Sequence, residues 1–226
     1  MIAYAVAIYH DHVYHTWPYI SDVAVISPEK CIVSQLFTFG TILMTVVVYF
    51  RYLVIKHTTE TYSLRPIITL MNNTNVWLGF LALLGVSFIS NYQKKLISTI
   101  HLLGVAMTFN LGGIYLISEI ISSVLVYPKI GSKVIIVTRI AITSIYTICL
   151  VISGIFASTS FNKFNGLTAI KWLPEDAGYT DHVISAITEW ITAICLLLYL
   201  ITYAYEFKDV VIYKPVLELP AEVTDV

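Results

Sequence analysis

Residues 31–50 read CIVSQLFTFGTILMTVVVYF, a stretch without a charge that is bounded by Lys30 on one side and Arg51 on the other. At 1.5 Å per residue a helix of this length rises about 30 Å, the thickness of a bilayer's hydrocarbon core, so the segment is predicted to cross a membrane. The same punctuation by charges and prolines repeats outward from it. Asn72, Asn73 and Asn75 precede an apolar run that ends near Lys94 and Lys95, which mark a tight turn. A longer run carrying His101, Asn110 and Glu119 ends before Pro128, the next opens after Lys133, and the last begins at His182. The predicted spans are residues 31–52, 76–92, 97–126, 134–158 and 182–205, with residues 206–226 as a tail.

Residues 1–9 are apolar but would rise only about 14 Å as a helix, roughly half a crossing. No basic region precedes them, as a secretory signal would require, so they are read as part of a span whose upstream half is missing. The fold class that follows is all-α: a polytopic transmembrane helical bundle of five full spans plus a partial first span, forming one membrane domain over residues 1–226.

Composition agrees. Hydrophobic residues make up 58% of the chain and charged residues 12%, about half the charged share of a soluble domain, and the mean hydropathy is +0.80. A net charge of −1 offers no basic footprint, which excludes nucleic acid as a partner. Cys31, Cys149 and Cys195 are odd in number and lack CxxC spacing, so they read as thiols with no redox or metal role. His10, His12 and His15 alternate beside Asp11 without cysteine partners, and no HxxxH or HExxH pattern occurs. No metal, no cofactor and no catalytic residue is therefore expected.

Short loops rich in Lys and Arg stay in the cytosol. Arg51, Lys56, Arg65, Lys129, Lys133, Arg139, Lys208 and Lys214 fall on one side, against Lys30, Lys94, Lys95, Lys163 and Lys171 on the other. The first side is expected to be cytosolic, together with the C-terminus and the sequon at Asn72; the second is expected to be lumenal.

Ionisable residues inside apolar segments are costly and usually face protein or a cavity. His182 and Glu189 lie nearly two helical turns apart, on one face of the last span. With Asp181, Asp22 and His101 they form the expected lumenal polar pocket. Glu119 falls on the face of His101 at the far end of its helix, and Asn110 on the opposite face; a relay between the first two would have only Thr108 and Tyr115 as intermediates. Gly79, Gly85, Gly104, Gly112 and Gly113 permit close helix packing.

The loop before residue 31 reads Trp17-Pro18-Tyr19-Ile20-Ser21-Asp22, then Ser27-Pro28-Glu29. This resembles the signature of the damage-regulated autophagy modulator (DRAM) and transmembrane protein 150 family. Arg51-Tyr52, Asn91-Tyr92-Gln93-Lys94 and Pro128-Lys129-Ile130 continue the resemblance. So do Trp172-Leu173-Pro174-Glu175-Asp176-Ala177-Gly178-Tyr179, His182, Glu189-Trp190 and Phe207. Val23-Ala24 and Leu173 depart from it. The resemblance implies a six-span fold and a lysosomal or endosomal protein that modulates autophagy, with links to cell death. Its expected partners are membrane lipids, and autophagy or vesicle-trafficking proteins at the cytosolic loops from Lys56 to Asn75 and Lys129 to Lys133. A non-enzymatic modulator whose lumenal pocket binds lipid or senses pH is the leading expectation, since histidine titrates near neutrality. A lipid or ion transporter and a lipid-remodelling enzyme are the alternatives. Tyr213 to Val216 fits a loose endocytic sorting pattern.

Overall fold

A computed structural model describes residues 2–92, 97–167, 169–208 and 210–211. The described residues contain helices and no strand. After α1 (Ile2–Tyr9) and a 3-10 turn (Asp22–Ala24) come five helices long and apolar enough to cross a membrane: α2 (Glu29–Thr61), α3 (Pro66–Asn91), α4 (Ser98–Val126), α5 (Lys133–Lys163) and α6 (Tyr179–Phe207).

The helix starts follow from local chemistry. Pro66 occupies the first turn of α3, where its missing N–H costs nothing. The Ser132 hydroxyl accepts from the Ile135 amide at 3.3 Å and caps α5. Gly178 precedes α6 with φ 86°, and a Cβ there would stand 2.8 Å from the Ser160 carbonyl oxygen, so glycine is required twice over.

Loops 10–28 and 164–178 and the α3–α4 junction gather at one end of the bundle, the loop-rich end. Loops 62–65 and 127–132 and the end of α6 define the other, the tail end. Outward faces are apolar: Leu36, Phe39, Leu43 and Val46 of α2 and Val134, Val137, Ile148 and Ile155 of α5 are all exposed. Water would not tolerate such stripes; hydrocarbon does.

Four of the five long helices exceed their predicted spans, α2 most of all, and α4 keeps to its own. Its 33 residues rise about 50 Å, and the loop expected from Lys56 to Asn75 shrinks to residues 62–65. The reason is that Asn72 and Asn75, read as interruptions, are buried inside α3; the Asn72 amide donates to the Tyr52 carbonyl at 2.9 Å. The sequon asparagine is thus a packing residue of the folded bundle. The turn expected at Lys94 and Lys95 and the pattern at Tyr213–Val216 lie outside the described residues.

The small residues act as expected. A Cβ on Gly85 would meet the Gly104 carbonyl oxygen at 2.7 Å, and one on Gly104 would meet that of Gly85 at 2.8 Å, so α3 and α4 touch backbone to backbone. Midway along α4, residues Ala106–Leu111 widen into a π turn. The Tyr146 hydroxyl donates to the carbonyl of Phe109 there. This turn shifts the helical register locally; Asn110, exposed within it, touches the cavity that the buried His101 also lines.

Candidate functional site

The signature residues assemble into a cap over the loop-rich end. His182 lies flat on Trp172, with ring centroids 4.4 Å apart and an interplanar angle of 7°. Tyr19 meets the same imidazole edge-on at 4.7 Å. Trp172 in turn packs on Phe161 and Phe164, and the Trp190 indole donates to the Pro18 carbonyl at 3.0 Å. Burial pushes the Tyr19 hydroxyl up to about 12; hydrogen bonds with Ser185 and Ser160 oppose the shift, and the Glu189 and Asp22 carboxylates add to it. Tyr19, Asp22, His182 and Glu189 therefore do share one neighbourhood.

The segment from Trp172 to Tyr179 builds the turn that holds this cap. Asp176 Oδ2 accepts from the Leu173 amide at 2.8 Å, and Asn165 Oδ1 accepts from the Ala177 amide at 2.9 Å. Pro174 and Glu175 are exposed, as is Pro28. Glu29 is buried and pairs with His12 Nδ1, which ties loop 10–28 to the first turn of α2. Lys171 reaches Asp11 at 2.6 Å and ties the two loops together.

Three pocket residues sit elsewhere than expected. Asp181 turns outward to Lys163 at 2.7 Å on the surface. His182 is enclosed by aromatic rings and, with Asp22, does not line the cavity below. His101 does line it, as do Ser21 and Glu189. Because a carbonyl can only accept, the 2.9 Å contact between His101 Nδ1 and the Tyr92 carbonyl places the proton on Nδ1.

That cavity, of about 620 Å³, is a cleft rather than the polar chamber expected. Its walls are mainly apolar, from Leu36, Phe37 and Met44 on α2 to Leu196, Leu197 and Leu200 on α6. Leu36 and Leu197 are more than half exposed, so the cleft opens sideways between helices.

Below it, toward the tail end, lies a buried ionic cluster absent from the sequence reading. Arg51 donates to Glu119 at 2.9 Å, to Glu206 at 2.6 Å and to Ser123 at 3.1 Å. Arg139 donates to Glu206 at 2.9 Å, Ser123 at 2.8 Å and Thr202 at 2.8 Å, and stacks over the Tyr203 ring at 4.5 Å. Asn75 completes Glu119 at 2.8 Å. Two positive and two negative side chains cancel, and all five long helices contribute. Gly131, with φ 76°, lets the α4–α5 loop close over it: a Cβ there would stand 3.1 Å from Glu206 Oε1. Glu119 is held by these contacts and does not line the cleft, in line with the scarcity of intermediates between it and His101. Arg51 and Arg139, counted as loop charges in the orientation argument, lie inside the bundle. The overlooked signal was the balance itself, two arginines and two glutamates at one depth of apolar helices.

A family model described as the Frag1/DRAM/Sfk1/Cwh43P N-terminal domain matches residues 1–210. The chain is 28% identical over 222 residues to DNA damage-regulated autophagy modulator protein 2 of Bos taurus, covering 93% of this chain and 79% of the relative. It is 28% identical over 211 residues to DNA damage-regulated autophagy modulator protein 1 of Mus musculus, covering 93% and 85%. The modulator of macroautophagy TMEM150B of Danio rerio is 25% identical over 213 residues, covering 93% and 80%. No solved structure matches.

Proposed function

This chain belongs to the Frag1/DRAM/Sfk1/Cwh43P family, and from that premise we propose that it modulates autophagy from within a lysosomal or endosomal membrane, without catalysing a reaction. In this reading the loop-rich end is lumenal and the C-terminus cytosolic. The observation that carries the mechanism is the lateral cleft: its walls suit lipid, and its mouth holds His101, Ser21 and Glu189 beneath the aromatic cap. Lipid entering from the bilayer would change the fit between α2 and α6, and lumenal acid would act on His101 at the same mouth. The tail end, held by the ionic cluster, would present loops 62–65 and 127–132 to trafficking partners and to any machinery linked to cell death.

Lipid transport is the second reading, favoured by the sideways opening. The cluster of Arg51, Glu119, Arg139 and Glu206 counts against it, because it fills the tail end of the route. Catalysis by paired histidines is disfavoured by the enclosure of His182 between Trp172 and Tyr19.

The test is autophagic flux in cells lacking the protein, rescued by wild type, His101→Ala or Glu189→Gln at equal expression. The proposal expects each variant to restore less than half of the wild-type effect; full rescue by both would remove the cleft mouth from the mechanism. Co-staining with a lysosomal marker and protease protection of a C-terminal tag check location and orientation.

A further inference from the structure

The cleft's dimensions and lining specify a ligand more narrowly than lipid in general. On α2 it runs from Leu36 to Val48, about 18 Å of helical rise, and on α6 from Glu189 to Leu200, about 17 Å. That is a little over half of a hydrocarbon core of about 30 Å, the depth that one leaflet's chains occupy. The floor is closed by Val48, Leu116 and Tyr115, and the Tyr115 hydroxyl is engaged by Tyr203 at 3.0 Å. Along the walls the hydroxyls of Thr41 and Ser153 are bonded to Phe37 and Ser185, so that, Asn110 apart, the walls are mainly hydrocarbon.

At about 620 Å³ the cleft falls in the range of pockets that hold one small ligand, and its length suits an extended acyl chain. Gly40 on α2 and Gly154 on α5 face the opening, and a Cβ on either would meet nothing within 4 Å. The packing glycines, Gly79, Gly85 and Gly104, all meet a neighbour within 2.8 Å. Two glycines thus widen the cleft without serving any helix contact.

The head group is set by the mouth. Ser21, His101 and Glu189 stand there, with the Asp22 carboxylate close behind in the cap. A carboxylate accepts as many as about four hydrogen bonds and repels phosphate, so the mouth favours donors over anions. We infer that the cleft binds a single-chain lipid with an uncharged, hydroxyl-bearing head, of the monoacylglycerol class, with its chain lying along Gly40 and Gly154 and its hydroxyls at Glu189 and His101. This rests on the reading of the cleft as a lipid site and adds the ligand class to it.

The experiment uses the full chain purified in detergent and exposed to two photoactivatable probes of equal chain length, a monoacylglycerol and a lysophosphatidate. Wild type is expected to take up the monoacylglycerol at least 5-fold more, with labelled peptides from α2 and α5. Gly154→Leu and, independently, Gly40→Leu are expected to cut that labelling at least 5-fold while keeping the wild-type melting temperature. Glu189→Gln is expected to narrow the preference between probes. Equal labelling by both probes, still blocked by Gly154→Leu, overturns the head-group assignment and leaves the lipid cleft standing. Labelling that neither leucine variant reduces overturns the cleft itself. Disulfide-linked dimers from Gly154→Cys, appearing in place of lipid label, would assign the cleft to a second copy's helix and also overturn the inference.

Discussion

Arg51 and Glu119 meet at 2.9 Å across α2 and α4, and neither side chain is more than 2% exposed. Each would be an isolated charge in hydrocarbon without the other, and Glu206 and Arg139 extend the pair into a neutral set of four. The cluster makes the tail end of the bundle a fixed point, while the cleft above it stays open.

Glu119→Gln is expected to leave Arg51 only partly compensated and to destabilise the bundle by about 3–5 kcal/mol, the usual cost of breaking a buried pair from one side. Thermal unfolding in detergent, followed by tryptophan fluorescence, reads the effect. The double variant Arg51→Met with Glu119→Gln should lose less than the sum of the two singles, because it also removes the stranded charge.

Glycines divide by environment. Gly85→Ala and Gly104→Ala drive a methyl into facing backbone and should lower the melting temperature. Gly40→Ala and Gly154→Ala enter open space, and each should be neutral or stabilising by up to about 1 kcal/mol through helix propensity. A uniform response across the four would contradict the assigned contacts.

Gly178→Ala combines a left-handed backbone with contact against Ser160 and is expected to unseat the start of α6. The readout is the Trp172 environment: fluorescence should shift to the red as the His182 stack loosens, and limited proteolysis should cut within residues 164–178.

Tyr19 sets an alkaline limit. Its hydroxyl is raised to about 12 in the fold against 10.0 in an unfolded chain. The folded state therefore holds its proton more tightly, and this contribution is complete below pH 10. It falls away as pH rises from 10 to 12, by about 3 kcal/mol in all. Tyr19→Phe should flatten that part of the stability profile and leave it unchanged near neutrality.

The sequence was informative where one property decides the structure. Residues 31–50 and their counterparts could only cross a membrane, and the resemblance running from Pro18 through Phe207 named the family. Glycine spacing at Gly85 and Gly104 foretold close packing. What stayed hidden depends on three dimensions. Arg51 looks like a span boundary until α2 is seen to run ten residues past it, and nothing in the sequence places Arg139, six residues into α5, against Glu206. The π turn at Ala106–Leu111 leaves no pattern in the residues, yet it is where the Tyr146 hydroxyl meets the Phe109 carbonyl. Asp181 and His182 are neighbours in sequence, but the rotation of about 100° between successive helical residues sends the first to Lys163 at the surface and the second beneath Trp172.

The measurement closest to the centre of this account is rescue of autophagic flux by Gly154→Leu, which fills the cleft and touches neither cap nor ionic cluster. With wild-type expression, location and melting temperature, the variant is predicted to restore less than half of the wild-type flux. Full restoration would contradict the claim that the protein acts through its cleft.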